Sequence, residues 1–325
     1  MKTIGEIGEF GLIDRIARFG APSADVLTGI GDDCAVLRLG DRKLLVTTDM
    51  AVEGVHFRRD LATPYDIGYK SAAGALSDIA AMGGTPLFFL VSLSCPVDTE
   101  IAYIEAMYQG ITNLTSAYGV SLVGGDTTRA HDRITLDVQM IGEAKGLHVL
   151  RRKGAQAGDL LAITNTVGQS AAGLKASMEG HEVPELLTAH YRPIPRITEG
   201  QWLAAHDAVH AMIDISDGLI QDSGHLARIN QIGINIETDK LNPSPALSKY
   251  CWENNLNPIE LMLSGGEDFE LAFAVDAQEC QSLFSLFKQE IRTPLRVIGR
   301  FTHEWTGVRV DGQPTNLHGF DHFSV

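Results

Sequence analysis

Apolar residues spaced three to four apart, Phe10, Ile13, Ile16 and Ala17, predict a first helix over 6–19. A loop over 21–31 follows, ending in Gly29-Ile30-Gly31-Asp32-Asp33. The pattern then tightens to strand-like runs at 34–39 and 44–49, joined by a Gly40-Asp41 turn. A helix is predicted over 64–82, stopped by Gly83-Gly84, then a strand over 87–94 and a long helix over 98–118. A short strand at 120–123 runs into Gly124-Gly125-Asp126, and 134–142 completes a sheet. The strand pattern restarts at 160–164, with a helix opening near Gly168. Further helices are read at 199–206, 219–230 and 278–288, and further strands at 211–215, 234–238, 270–275 and 295–301. Helices and strands interleave in both halves without a fixed repeat, which predicts an α/β (α+β) chain of two domains. The basic, glycine-bearing stretch 145–159 is the expected junction, giving an N-terminal domain 1–150 and a C-terminal domain 151–325.

Length agrees, since 325 residues is long for a single core. An apolar share of 44% and a charged share of 21% are ordinary for a globular protein. No apolar run is long enough to span a bilayer, and the first ten residues lack a leader-like apolar stretch, so no membrane partner is expected. The four cysteines form no Cys-x-x-Cys pair, which fits a reducing, cytoplasmic setting. With 41 acidic against 26 basic residues the formal charge is −15, a field that repels nucleic acid. An anionic substrate would need cations to approach such a chain.

The positions of the acids supply that answer. Asp32 and Asp33 follow Gly31, Asp49 closes a strand after Thr47-Thr48, and Asp126 follows Gly124-Gly125. Asp214 and Asp217 flank Ile215-Ser216, and Glu267-Asp268 follow Ser264-Gly265-Gly266. Acids at strand ends and glycine turns sit where a rigid scaffold lets backbone and carboxylate approach a ligand. Each has a plainer reading: an Asp after Gly is commonly a turn residue, and Asp217 suits the N-cap of the helix at Leu219. Asp78 is harder to read that way. It shares a helix side with Ser71, Gly74, Ala75 and Met82, and a buried acid is costly unless paired or metal-bound. Carboxylates and hydroxyls without matched His or Cys suit hard cations, Mg²⁺ above all. There is no Walker loop and no protein-kinase signature set, nor an obvious catalytic Lys or Cys. Gly168-Gln169-Ser170 after a strand could touch an anion, although strand–helix packing explains it equally.

Taken in order, these segments carry a resemblance. Gly29-Ile30-Gly31-Asp32-Asp33-Cys34-Ala35, Thr47-Thr48-Asp49, Leu76-Ser77-Asp78-Ile79-Ala80-Ala81-Met82-Gly83 and Gly124-Gly125-Asp126-Thr127-Thr128-Arg129 resemble the thiamine-monophosphate kinase family. So do Ile213-Asp214-Ile215-Ser216-Asp217-Gly218-Leu219, Leu263-Ser264-Gly265-Gly266-Glu267-Asp268 and Gly319-Phe320-Asp321-His322-Phe323. The resemblance implies an N-terminal mixed sheet that forms a barrel with its twin in a homodimer, and a C-terminal domain closing over the nucleotide. It implies ATP and thiamine monophosphate as partners and several Mg²⁺ ions. The metal ligands would be Asp33, Thr47, Thr48, Asp49, Asp78, Asp126, Asp214 and Asp217, with Asp78 and Asp126 most critical. Gly125, Asp126, Arg152 and Ser216 would meet the nucleotide, and His56, Glu267 and Phe320 the acceptor. The family commonly has Asn at the Ala75 position and often Trp or Tyr at that of Phe320.

Overall fold

The structure, a computed structural model, describes residues 3–21, 23–144 and 149–323, the side chain of Phe10 excepted. Residues 145–148 of the expected junction therefore lie outside the described residues, as does the Phe10 position of the first helical stripe.

The N-terminal half runs α1 (Ile4–Ile16), β1 (Val26–Thr28), β2 (Ala35–Leu39), β3 (Arg42–Val52), α2 (Pro64–Ala81), β4 (Thr85–Cys95), α3 (Ile101–Ala117), β5 (Ser121–Arg129) and β6 (Thr135–Ala144). Its strands form one mixed sheet in the order β1-β2-β3-β6-β4-β5. The C-terminal half runs β7 (Leu160–Thr164), α4 (Gln169–Glu179), α5 (Pro184–Tyr191), α6 (Ile197–Ala204), β8 (Val209–Ile215), α7 (Leu219–Asn230) and β9 (Gly233–Ile236). It continues through α8 (Pro245–Glu253), α9 (Pro258–Ser264), β10 (Glu270–Val275), α10 (Cys280–Glu290), β11 (Leu295–Thr302), β12 (Gly307–Val310) and β13 (Gln313–Pro314). These strands form a second mixed sheet, β13-β12-β9-β11-β7-β10-β8. The chain is thus a two-domain α/β fold. No helix among the described residues is long and apolar enough to cross a membrane.

Two differences from the sequence reading bear on function. The strand expected to stop at residue 123 continues through both glycines to Arg129, because Gly124, Gly125 and Asp126 pair with Leu90, Val91 and Ser92 of β4. Asp126 therefore sits on the sheet's edge strand and not in a loop. Helices α5, α8 and α9 went unread because each is short, nine residues at most, and opens on a proline.

Helix α2 organises the molecule. Thr63 caps it by accepting from the Asp66 amide at 3.1 Å, and Pro64 takes the first turn, where no amide partner is needed. Its small residues let neighbours come close. A Cβ on Gly68 would lie 1.9 Å from the Met107 carbonyl oxygen of α3, and one on Gly110 would lie 2.0 Å from that of Tyr65. Ala80 is equally close to α6, since a Cβ on Gly200 would sit 2.1 Å from its carbonyl oxygen. The second sheet is buried on both faces. Leu271, Phe273 and Met212 join the core around α2, whereas Ile213, Ala272 and Leu161 join the core under the C-terminal helices.

The crossing of α2 and α3 gives a direct test. Gly110→Ala forces a methyl into backbone and should cost about 1–3 kcal/mol of stability, read from the urea midpoint. A loss below about 0.5 kcal/mol would show that the helices can part without penalty.

Candidate functional site

Three elements each deliver a carboxylate to the seam between the halves. The loop before β2 brings Asp33, α2 brings Asp78 and β8 brings Asp214, with one oxygen of each within 4.8 Å of the others. Each is held. Asp33 Oδ1 accepts from Arg152 Nε at 3.0 Å and Nη2 at 2.5 Å. Thr47 Oγ1 donates to Asp78 Oδ2 at 2.5 Å, and Ser77 Oγ donates to Asp214 Oδ2 at 2.7 Å. Asp33 Oδ2, in contrast, is buried without a hydrogen-bond partner. Asp49 stands next to this group on β3, packed so tightly against α2 that a Cβ on Gly74 would lie 1.9 Å from its Oδ2. A larger residue there would push the Asp49 carboxylate aside.

Crowded acids resist ionisation. Burial, then the Asp214 and Asp33 charges, hold Asp78 well above the usual carboxylate range. Burial and Asp33 push Asp214 up to about 7, and burial with Glu267 pushes Asp49 up to about 6. Asp32, whose Oδ1 accepts from the Arg152 amide at 3.1 Å, rises to about 6 through burial and its neighbour Asp33.

A cavity of about 740 Å³ opens beside these acids, between the halves. Asp49, Ser216 and Asp217 line it, and so do His56, Glu267 and Phe320. Two of the acids expected to hold metal, Asp49 and Asp217, thus share one space with the side chains expected to meet the acceptor. His56 Nδ1 accepts from the Val52 amide at 3.0 Å, and burial followed by the nearby His322 lowers its pKa. Phe320 stands edge-on to the His322 ring at 4.8 Å, and its amide donates to the Asp217 carbonyl oxygen at 2.9 Å. Glu267 follows two glycines in a left-handed conformation, φ 63°, with its amide donating to the Ser216 carbonyl oxygen at 2.7 Å.

Other positions fall differently from the sequence reading. Strand alternation turns the Thr48 hydroxyl to the far face of the first sheet, where it donates to Asp137, also bonded by Gln139. Thr48 therefore does not share a face with Thr47 and Asp49. Asp126 and Gly125 lie on edge strand β5, with β4 and β6 between them and β3, and the whole of β5 is exposed. The cap of α7 is Gly218, not Asp217; Asp222 Oδ2 accepts from the amides of Asp217 at 3.2 Å and Gly218 at 2.9 Å. Nor are the amides at the start of α4 free for an anion. Asp268 fills that role, accepting from Gly168 at 2.5 Å and Ser170 at 3.0 Å. The sequence reading also missed a cation: Lys70, on α2, lines the cavity and bonds Glu267.

The donors at the seam are all hard oxygens, their mutual repulsion is uncompensated apart from Arg152, and one buried carboxylate oxygen has no partner. Such a set fits a divalent hard cation.

Residues 31–144 match the family described as AIR synthase related protein, N-terminal domain, and residues 156–311 match the corresponding C-terminal domain. The thiamine-monophosphate kinase of Salmonella typhimurium is 37% identical over 330 residues, spanning 98% of this chain and 99% of its own. This chain belongs to the thiamine-monophosphate kinase family. The family member from Aquifex aeolicus is 35% identical over 323 residues, with 98% and 99% covered. The solved structure of AaThiL complexed with AMPPCP and TMP is similar in fold, with a TM-score of 0.89 at 35% identity over 99% of both chains.

The raised acids give a pH signature. Each binds a proton in the folded chain where the unfolded chain has lost it, so the ion-free fold is destabilised progressively as pH rises from about 4 towards 7. His190 and His225, lowered to about 3 by burial, act oppositely as pH falls below about 6.5. Comparing melting with and without Mg²⁺ at each pH cancels the histidines. The Mg²⁺-induced rise in Tm should be larger at pH 8 than at pH 5; an equal rise at both would detach the ion from these carboxylates.

Proposed function

We propose that this chain transfers the γ-phosphoryl group of ATP directly to thiamine monophosphate, giving thiamine diphosphate and ADP, with Mg²⁺ held at the seam. One observation carries this reading: Asp33, Asp78 and Asp214 converge on one another, and Asp49 and Asp217 beside them line the same cavity as Glu267, His56 and Phe320. Relatives named for this activity cover nearly the whole chain, which supports it further. We place the reaction in the cytoplasm, consistent with four free thiols.

Asp33, Asp49, Asp78, Asp214 and Asp217 would hold the ions, with Thr47 supporting Asp78. Bound there, Mg²⁺ would neutralise phosphoryl oxygens of both reactants and so reduce their repulsion. The protein's remaining task is to orient. Arg152, held by Asp33, offers a guanidinium fork suited to phosphate. Ser216 lies at the cavity wall between the acids and Glu267. Phe320 offers an aromatic face and His56 a polar edge to the flat ring system of the acceptor. No strong general base is required, since a phosphate monoester has its second pKa near 6 and is largely ionised at neutral pH. In-line attack by that oxygen on the γ-phosphorus needs alignment above all.

Asp126 and Gly125 enter through assembly. We read residues 1–150 as the half that pairs with a twin, edge strand β5 and the outer face of the first sheet joining those of the partner in a shared barrel. Exposed Leu122, Val123, Phe88 and Met50 on this side supply apolar area for that contact. Asp126 and Gly125 would then complete the partner's nucleotide site, while residues 151–325 close over the nucleotide.

Incubating the pure protein with ATP, Mg²⁺ and thiamine monophosphate should yield thiamine diphosphate by mass; intact reactants would refute the assignment. Asp78→Asn should lower turnover by about 10³-fold or more with the fold retained by circular dichroism. Mixed Asp78→Asn and Asp126→Asn protomers, each inactive alone, should recover about a quarter of wild-type activity if the site is shared across a two-fold dimer. No recovery would mean that Asp126 serves its own protomer.

A further inference from the structure

Among the charged residues that line the cavity acids outnumber cations, with Glu9, Asp49, Asp66, Asp217 and Glu267 on its wall, yet Lys70 reaches into it. Among the described lining residues its only fellow cation is Arg58, and Arg58 is half exposed and engaged by Asp60. Lys70 is largely covered, its side chain 11% exposed. Its Nζ donates to Glu267 Oε2 at 2.6 Å and stands 3.4 Å from both ring nitrogens of His190. That equidistance places the ammonium over the imidazole and on neither nitrogen's lone pair. His190 is fixed in turn, its Nδ1 within 3.1 Å of Ser170 Oγ. Burial lowers the ring's pKa to about 3 and keeps it neutral, so it braces Lys70 while its Nδ1 lies 3.8 Å from Glu267 Oε2, beyond hydrogen-bond reach.

Lys70, Gly74 and Asp78 recur every four residues and so form one stripe along α2. Eight residues of helix separate Lys70 from Asp78 by about 12 Å. One rigid element thus carries a seam acid at one end and the clamp on Glu267 at the other. The left-handed backbone of Glu267 and its amide bond to Ser216 set where its side chain starts, and Lys70 sets where it ends. With Oε2 taken, Oε1 is left to meet a ligand.

We propose that Lys70 is a positioning residue for the acceptor: it acts through Glu267, braced by His190, to fix the carboxylate oxygen that recognises the acceptor's heterocyclic end at a set distance from the acids of the seam. The proposal rests on the phosphoryl-transfer reading above. Lys70 also makes this end of the cavity locally neutral, so the acceptor is recognised by a directed hydrogen bond and not by bulk negative charge.

A double-mutant cycle on the full chain, with ATP, Mg²⁺ and thiamine monophosphate, tests it. Lys70→Met should raise the acceptor KM by about 10- to 100-fold, the range for losing a charge-assisted bond. The KM for ATP should stay within about threefold, and Lys70→Arg should restore most of the acceptor KM. Glu267→Gln should act in the same direction, and the double variant should be no more than about threefold worse than the poorer single. Losses that multiply would overturn the proposal, because Lys70 would then touch the acceptor independently. So would an unchanged acceptor KM in Lys70→Met. If the methionine variant does not fold, His190→Gln takes its place in the cycle, with the same outcomes deciding. A wild-type chain inactive on thiamine monophosphate would overturn the functional reading and this inference together; an active wild type with multiplying losses overturns the inference alone.

Discussion

Like charge at close range in a poorly hydrated seam is the constraint on which this molecule is built. Asp33, Asp78 and Asp214 come from a loop, a helix and a strand belonging to two different sheets' halves. Arg152 bonds Asp33 and only partly offsets Asp214, whose pKa still rises to about 7, so Asp78 and Asp214 remain protonated or require a cation. Much of the surrounding fold serves to keep them there. The small residues of α2 allow α3 and α6 to close in on it, and Gly74 leaves Asp49 the space to stand beside it. A larger residue at Gly74 would move the Asp49 carboxylate, and one at Gly68, Gly110 or Gly200 would drive the helices apart.

The same helix divides the cavity into unlike regions. At Asp49 and Asp217 the lining is anionic and suits metal and polyphosphate; at Lys70 and Glu267 the charges cancel, and Phe320 is among the aromatic residues of the wall. A substrate with an anionic end and a flat heterocyclic end has a place for each. The strained backbone at Glu267 and at Phe269, φ 51°, costs on the order of 1–3 kcal/mol each, and such strain persists only where surrounding contacts hold it.

What could be read from the chain followed local rules. Asp78 stood out because helical spacing put an acid on a face of small residues, and it is indeed packed inside. Glu267 and Asp214 stood out because glycines and a strand end flank them. Alternation along β3 was equally legible, yet Thr47 and Thr48 were grouped by adjacency although a strand sends neighbours to opposite faces. Lys70 could have been found from its spacing to Gly74 and Asp78. The role of Asp268 could not, since its amide partners at the start of α4 lie about a hundred residues earlier in the chain. His190 sits on α5, too short for a periodic signal, and reaches Lys70 only through tertiary packing. Tertiary contact decided these cases, and no window of sequence contains it.

The burial of the second sheet on both faces carries one more consequence. Because Phe273, Met212 and Leu271 lie in the apolar mass around α2, the C-terminal half forms the floor on which the N-terminal half rests. Neither half is an autonomous module on a tether; parted, each would bare an oily surface to water. Their union is obligatory, and melting should strike both at once, in a single cooperative event that also scatters the ion-binding acids.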